Sequence, residues 1–250
     1  MFLVSTTQRC GSTWLTRLLE AMTDSHCRYV NGLALGFKLR GASKPDAVTR
    51  LAETLRSMNE VQVFKTHDVP SRDFDTVCAT LPELKLLTMR RDFRDVVVSR
   101  YFYYRYYWPT DPALGPLPEH LAKCFSEYNG VSDRRALTRL AGSPAVLNWA
   151  AEWSAFEGGF LTTHALRLRY EGLLDGTEQE NLERFTGHCQ PDLDSFAASQ
   201  AEETAKTGRK GSRRFFRKGR CGQWRKWFTE AEGLALESLV SPATPNTKTI

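Results

Sequence analysis

The sequence lacks any apolar run approaching the roughly 20 residues needed to cross a bilayer, and its apolar start, Phe2-Leu3-Val4, ends at Ser5. Neither a membrane span nor a secretory leader is expected. Cysteine is sparse and scattered: Cys10, Cys27, Cys78, Cys124, Cys189 and Cys221 contain no Cys-x-x-Cys pair. That argues against a disulfide framework and against a zinc site, and it points to a reducing, cytoplasmic setting. Low-complexity segments, internal repeats and dividing linkers are also missing, so the expectation is a single domain over residues 1–250. Acid is missing locally. Between Lys206 and Lys226 stand ten cations and no Asp or Glu, although the net charge of the whole chain is only +5. Such a run suits a nucleic-acid patch, a solvated tail or a pocket for a polyanionic small molecule.

What is present begins with the first twenty residues. Phe2-Leu3-Val4 reads as a buried strand, a small polar loop follows, and Leu15, Leu18, Leu19 and Met22 repeat at helical spacing. At a strand-loop-helix junction the loop amides and the first helical N–H groups converge, and the helix dipole favours an anion there. Gly11 permits close backbone approach, Ser12 and Thr13 add hydroxyls, and Arg9 adds a fixed charge. The loop is suited to a phosphate or a sulfate, and the competing reading is an ordinary turn.

Further strands are expected at Val61–Lys65, ending in Thr66-His67-Asp68, at Leu84–Met89, and at Leu166–Tyr170. Helices are expected from Ser43 to about Met58, around Ser71 to Leu81, from Phe93 past Tyr101, and from about Ser143 to Phe156. The alternation predicts an α/β fold, a three-layer domain with a central, mostly parallel sheet covered on both faces. Open sheets of this kind collect ligands at the carboxyl ends of their strands. Arg9 and Gly11 follow the first strand, Lys65 and His67 the second, and Arg90 and Arg91 the third. The first loop has Ser12 after Gly11, not the Gly-Lys-Ser/Thr ending of a phosphate-loop NTPase, and no acid directly follows the third strand to hold magnesium. This describes a polyanion cradle without a metal.

Two downstream stretches extend it. Asp92 can cap a helix whose third position is Asp95, leaving Arg91 and Ser99 to face the helix start. Arg217-Lys218-Gly219-Arg220-Cys221-Gly222 places cations beside glycines, which suits backbone wrapping of a phosphate, and Thr229 with Glu232 forms a capping box for a last helix.

Together these pieces resemble the sulfotransferases that use 3′-phosphoadenosine 5′-phosphosulfate (PAPS). Arg9-Cys10-Gly11-Ser12-Thr13-Trp14 resembles the family's 5′-phosphosulfate loop, and Lys65-Thr66-His67 its Lys-Thr-His catalytic segment. Arg91 through Ser99 resembles the 3′-phosphate strand and helix, Tyr170-Glu171 the late Tyr-Glu, and Arg217-Lys218-Gly219 the Arg-Lys-Gly segment. The resemblance implies the phosphate-loop nucleotide-kinase-like fold and metal-independent in-line sulfuryl transfer. It implies His67 as general base, with Lys65 and Arg9 stabilising the leaving and equatorial oxygens. It places Cys10, Gly11, Ser12 and Thr13 on the 5′-phosphate. Arg91, Ser99, Arg217, Lys218 and Gly219 take the 3′-phosphate, and Trp14, Tyr170 and Phe215 the adenine.

The chain departs from the family in having Arg9 where lysine is usual and Thr7-Gln8 where tyrosine-proline is usual. It lacks the C-terminal dimerisation pattern, so no oligomeric state is implied. Cys10 and Cys221 sit in cation-rich loops that can lower a thiol pKa, which raises redox sensitivity as an expectation. The acceptor implied is a small molecule carrying a hydroxyl or an amine, with no nucleic-acid or membrane partner. The rings of Tyr101 through Trp108 are either core or an aromatic wall for it, and residues 25–58 and 109–140, including the proline-rich loop Pro109–Pro118, match the family least. Competing readings are a magnesium-dependent nucleotide kinase and a non-enzymatic nucleic-acid-binding module built on the Lys206–Lys226 run.

Overall fold

Five short strands form one parallel sheet in the computed structural model, which describes residues 1–29, 49, 52–53, 55–58, 63–67, 72–159, 165–196, 198–199 and 221–240. Strands β1 (Phe2–Ser5), β2 (Cys27–Tyr29), β3 (Val63–Thr66), β4 (Lys85–Arg90) and β5 (Leu166–Arg169) lie in the order β2-β3-β1-β4-β5. Every neighbouring pair is parallel. The central strand β1 is buried along its whole length, as a strand covered on both faces must be. Its alternate residues divide between two cores. Phe2 and Val4, with Val63, Leu87, Met89 and Leu168, pack under helix α1 (Ser12–Thr23) through Leu15, Leu18, Leu19 and Met22. Leu3, with Phe64, Leu84 and Leu86, faces Ala52, Leu55, Val77 and Leu81, of which Val77 lies on helix α2 (Arg72–Thr80). The α/β expectation with a parallel sheet covered on both faces is met.

Two compact units divide the chain: Met1–Arg91 with Ala155–Cys221, and Asp92–Ser154 with Gly222–Ile250. The first holds the sheet, together with the short helices α7 (Tyr170–Leu174) and α8 (Gln179–Thr186). The second holds α3 (Phe93–Phe102), which runs directly into a π-helical turn Tyr103–Tyr107, then α4 (Glu119–Ser126), α5 (Asp133–Ala141), most of α6 (Pro144–Gly159) and α9 (Glu230–Ser238).

Local expectations and structure differ in three places. Strand β2 was not expected, because Cys27-Arg28-Tyr29 has only three residues and sits at the sheet edge, held by its register with β3 (Cys27 beside Val63). Of the expected helix Ser43 to Met58, the described residues 49, 52, 53 and 55–57 are helical, Met58 is described and lies beyond the helix, and the rest lie outside the described residues. The proline-rich stretch is not an open loop: it contains two 3₁₀ turns, Trp108–Thr110 and Pro112–Leu114, and leads into α4. Among the described residues no helix is long and apolar enough to cross a membrane.

Candidate active site

The turn between β1 and α1 has an unusual backbone. Arg9 (φ 71) and Gly11 (φ 96) both occupy the left-handed region, where a side chain costs about 1–2 kcal/mol and glycine nothing. Gly11 is the N-cap of α1 and no side-chain bond caps that end. The first-turn amides of Ser12 and Thr13 therefore have no intrahelical acceptor. The turn is also closed from outside. A Cβ on Gly11 would lie 2.6 Å from Tyr170 Cε2 and 3.0 Å from Met89 Cε, so only glycine fits. Cys10 points the other way: it is 1% exposed, and its Sγ lies 2.6 Å from Thr7 Oγ1. The reactive thiol expected in this loop is thus a packed one. Cys221 is exposed.

Strand β3 delivers the next two groups. Its register sets Lys65 beside Val4, on the α1 face of the sheet, and from there Lys65 Nζ donates to Thr13 Oγ1 at 2.8 Å. Burial, opposed by Cys27 and reinforced by the nearby Arg9 charge, lowers the Lys65 ammonium from its ordinary 10.5 to about 8. A lysine held in this way gains free energy when an anion arrives. His67 follows the strand, and its Nδ1 lies 2.8 Å from the carbonyl oxygen of Thr6. A carbonyl only accepts, so Nδ1 carries the proton, and in the neutral ring Nε2 carries the lone pair. That is the tautomer a general base needs. Thr6 Oγ1, buried at the same strand end, has no hydrogen-bond partner among the described residues.

Strand β4 ends at Arg90, and Arg91 turns back over the first loop. Its Nη1 donates to the Arg9 carbonyl at 3.4 Å, and its guanidinium lies 4.6 Å from the centre of the Tyr170 ring. The ring therefore sits between Arg91 and Gly11. It is 4% exposed and meets Trp14, itself 7% exposed, edge to face at 6.4 Å. Trp14 also packs edge-on against Phe196 at 5.7 Å. Two of the three rings expected at an adenine, Trp14 and Tyr170, pack in the core under α1.

The first unit thus gathers Arg9, Gly11, Thr13, Lys65, His67, Arg91 and Tyr170 at the carboxyl ends of β1, β3, β4 and β5. Ser99 lies half-buried on α3, in the second unit. Phe215, Arg217, Lys218 and Gly219, and Asp68 beside His67, lie outside the described residues. Within the second unit Asp92 caps α3 as expected, accepting from Arg94 N at 2.9 Å. Of the ring-rich stretch, Tyr101, Phe102 and Tyr104 are buried, while Tyr103, Tyr106, Tyr107 and Trp108 are half-buried. Tyr103 stacks on Tyr107 at 5.4 Å. Two partnerships escaped sequence reasoning: the Thr6 carbonyl on His67, which has no side-chain signature, and the Asp95 carboxylate, which accepts from Gly222 N at 2.8 Å and Trp224 N at 2.9 Å.

The strand ends of the parallel sheet bring together an uncapped helix start, two arginines, a lysine and a histidine, an arrangement able to hold an anion. Residues 1–119 match the family model for the sulfotransferase domain. Over these residues, slightly under half of its length, the chain is similar to the sulfotransferase domain. Solved structures share the fold. Mouse sulfotransferase SULT7A1 complexed with PAP superposes with a TM-score of 0.54 at 16% identity, covering 95% of this chain and 82% of that one. Retinol dehydratase with androsterone and inactive cofactor PAP gives 0.52 at 19% identity, covering 98% and 82%. Retinol dehydratase with retinol and PAP gives 0.50 at 18%, covering 96% and 79%. No curated protein sequence matches significantly.

Proposed function

We propose that this protein is a sulfotransferase that transfers a sulfuryl group from PAPS to a hydroxyl of a small-molecule acceptor, with His67 as general base and no metal. The observation that carries this reading is the pairing at the end of β3: Lys65 on Thr13 Oγ1 and His67 on the Thr6 carbonyl, side by side at the mouth of the first loop. The donor fits the residues present. The uncapped start of α1, the glycine that a Cβ would displace, and the orphaned Thr6 hydroxyl all suit an anionic group held by backbone and hydroxyl donors. When bound, PAPS supplies an activated sulfuryl group whose leaving group is adenosine 3′,5′-bisphosphate.

The chain's own residues have separate tasks. The amides and hydroxyls of Gly11, Ser12 and Thr13 bind the 5′-phosphate. Lys65 and Arg9 neutralise charge that grows on the leaving and equatorial oxygens, preorganised donors being the most effective means of doing so. His67 Nε2 takes the acceptor's proton while Nδ1 stays on Thr6. Arg91, set by Tyr170 and the Arg9 carbonyl, holds the 3′-phosphate together with Ser99 and the Arg217-Lys218-Gly219 segment. A hydroxyl acceptor agrees with the retinol and androsterone bound in related structures. We assign the whole chain to one sulfotransferase domain acting in the cytoplasm.

The test is radiolabelled sulfuryl transfer from PAPS to a panel of phenols, alcohols and amines, with and without EDTA. Transfer to a hydroxylated acceptor that is indifferent to EDTA is expected. In His67→Ala the rate falls by on the order of 10² to 10⁴, the usual worth of a general base, while bisphosphate binding persists. No transfer to any acceptor, with no thermal protection by adenosine 3′,5′-bisphosphate, refutes the assignment.

A further inference from the structure

Two neighbouring strands end on a cation and a ring. The parallel register of β4 with β5 sets Met89 beside Leu168 and Arg90 beside Arg169, so Arg91 and Tyr170 are the next residue on each. Met89 and Leu168 belong to the core under α1, and the alternation of strand side chains brings Arg91 and Tyr170 to the same face two positions later. At Tyr170 the chain turns from strand into α7, with Arg169 still extended before it. The Arg91 guanidinium accordingly lies 4.6 Å from the centre of the Tyr170 ring, while its Nη1 donates to the Arg9 carbonyl at 3.4 Å.

The ring is fixed from its other sides. It is 4% exposed, Trp14 meets it edge to face at 6.4 Å, and a Cβ on Gly11 would lie 2.6 Å from its Cε2. Little of it remains for a base to stack on. What it offers Arg91 is the negative face of an aromatic quadrupole. That contact uses the charge of the guanidinium and none of its in-plane N–H donors, so it orients the group without competing for the fork that recognises a phosphate. Immobilising one long side chain on a ligand costs a factor of about two to ten in affinity, and a contact that orders the side chain beforehand removes that cost.

We infer that Tyr170 is a positioning residue for recognition of the donor's 3′-phosphate: through the charge distribution of its ring it holds Arg91 over the first loop before the donor arrives, and it touches no ligand itself. The inference rests on the proposed function, which gives the 3′-phosphate to Arg91, and it replaces the adenine contact expected of Tyr170. A wedge that only fills space depends on the shape of the ring, whereas a contact with a cation depends on its electron density.

The experiment separates the two. In the full chain, position 170 is given phenylalanine and then its mono-, di-, tri- and pentafluoro analogues by stop-codon suppression, which drains the face of the ring with little change in its size. Titration calorimetry gives dissociation constants for adenosine 3′,5′-bisphosphate and for adenosine 5′-monophosphate, which lacks the 3′-phosphate. Bisphosphate affinity should fall step by step with fluorine content, by about two- to tenfold in all, while monophosphate affinity stays where it is. In an Arg91→Ala background the same series should be flat. Thermal melts identify the folded variants, and the partly fluorinated members give the slope whether or not the pentafluoro chain folds. Bisphosphate affinity that does not change along the series, equal losses for both nucleotides, as a ring stacked on adenine would give, or a slope that persists without Arg91 overturns the inference. A wild type that binds the bisphosphate no better than the monophosphate refutes the assignment of the 3′-phosphate itself, so the two failures are distinguishable.

Discussion

The lowered pKa of Lys65 has a measurable consequence for donor binding. Its ammonium stands at about 8 in the free protein, against an ordinary 10.5, chiefly because burial disfavours the charge. A bound phosphosulfate beside it favours the charged form and raises that pKa. The favourable coupling is fully present below pH 8, where the lysine is already protonated, and it is lost as pH climbs from 8 towards the pKa of the complex. If the anion restores the ordinary value, each pH unit in that window costs about 1.4 kcal/mol, so affinity falls roughly tenfold per unit. Binding then takes up about half a proton at pH 8 and close to one at pH 9. The assay is calorimetry with adenosine 3′,5′-bisphosphate and inorganic sulfate together, in buffers of different ionisation enthalpy, at pH 7, 8 and 9. Neighbouring Cys27 is not a confounding group, since burial, with Glu20, raises its thiol pKa. Lys65→Arg keeps a charge that does not titrate in this range, so it should bind without the pH slope. An affinity in wild type that is flat from pH 7.5 to 9.5, or proton uptake that survives in Lys65→Arg, refutes the reasoning.

Two further substitutions probe the frame around the site. Gly11→Ala combines a left-handed φ with a methyl pressed into Tyr170 and Met89, so it should destabilise the protein by about 2–4 kcal/mol and abolish thermal protection by the bisphosphate; a melting temperature equal to wild type refutes the packing. Thr229→Ala removes the acceptor for Glu232 N and half of the capping box on α9; it should cost about 1 kcal/mol in urea unfolding and leave nucleotide affinity unchanged, and a loss of affinity counts against the cap's being purely structural.

What the sequence reveals and what it conceals divides by distance along the chain. The Asp92 cap and the Thr229–Glu232 box were legible because donor and acceptor lie within one turn of each other. The four longer strands were legible from apolar and β-branched runs. Edge strand β2 was not, because three residues carry too little pattern and register alone holds them. Asp95 read as an ordinary first-turn acid because its partners lie 127 and 129 residues away. Trp14 and Tyr170 show a different limit. An aromatic type tells that a ring wants a flat neighbour, and it does not tell whether that neighbour is a base or another side chain. Here the described neighbours are Gly11, Arg91 and Phe196. Cys10 is similar: its cation-rich setting suggested a reactive thiol, and its burial against Thr7 depends on a backbone turn that residue types alone do not specify.

Lys65 and His67 show how a candidate site can be written in the sequence and still be decided by the sheet. Lys65, Thr66 and His67 are adjacent in the chain, yet their usefulness depends on the parallel register that sets Val4 beside Lys65 and Ser5 beside Thr66. Because strand side chains alternate, a slip of one residue would carry Lys65 to the opposite face, away from Thr13. The same register brings Thr6 level with the end of β3: its N–H bonds to the Thr66 carbonyl at 3.4 Å, and its own carbonyl meets His67 Nδ1. One strand pairing therefore sets the direction of the lysine charge and the tautomer of the histidine together. The buried contacts that hold that pairing, Leu3 and Phe64 on one face and Val4 and Val63 on the other, position Lys65 and His67 as well as stabilising the fold.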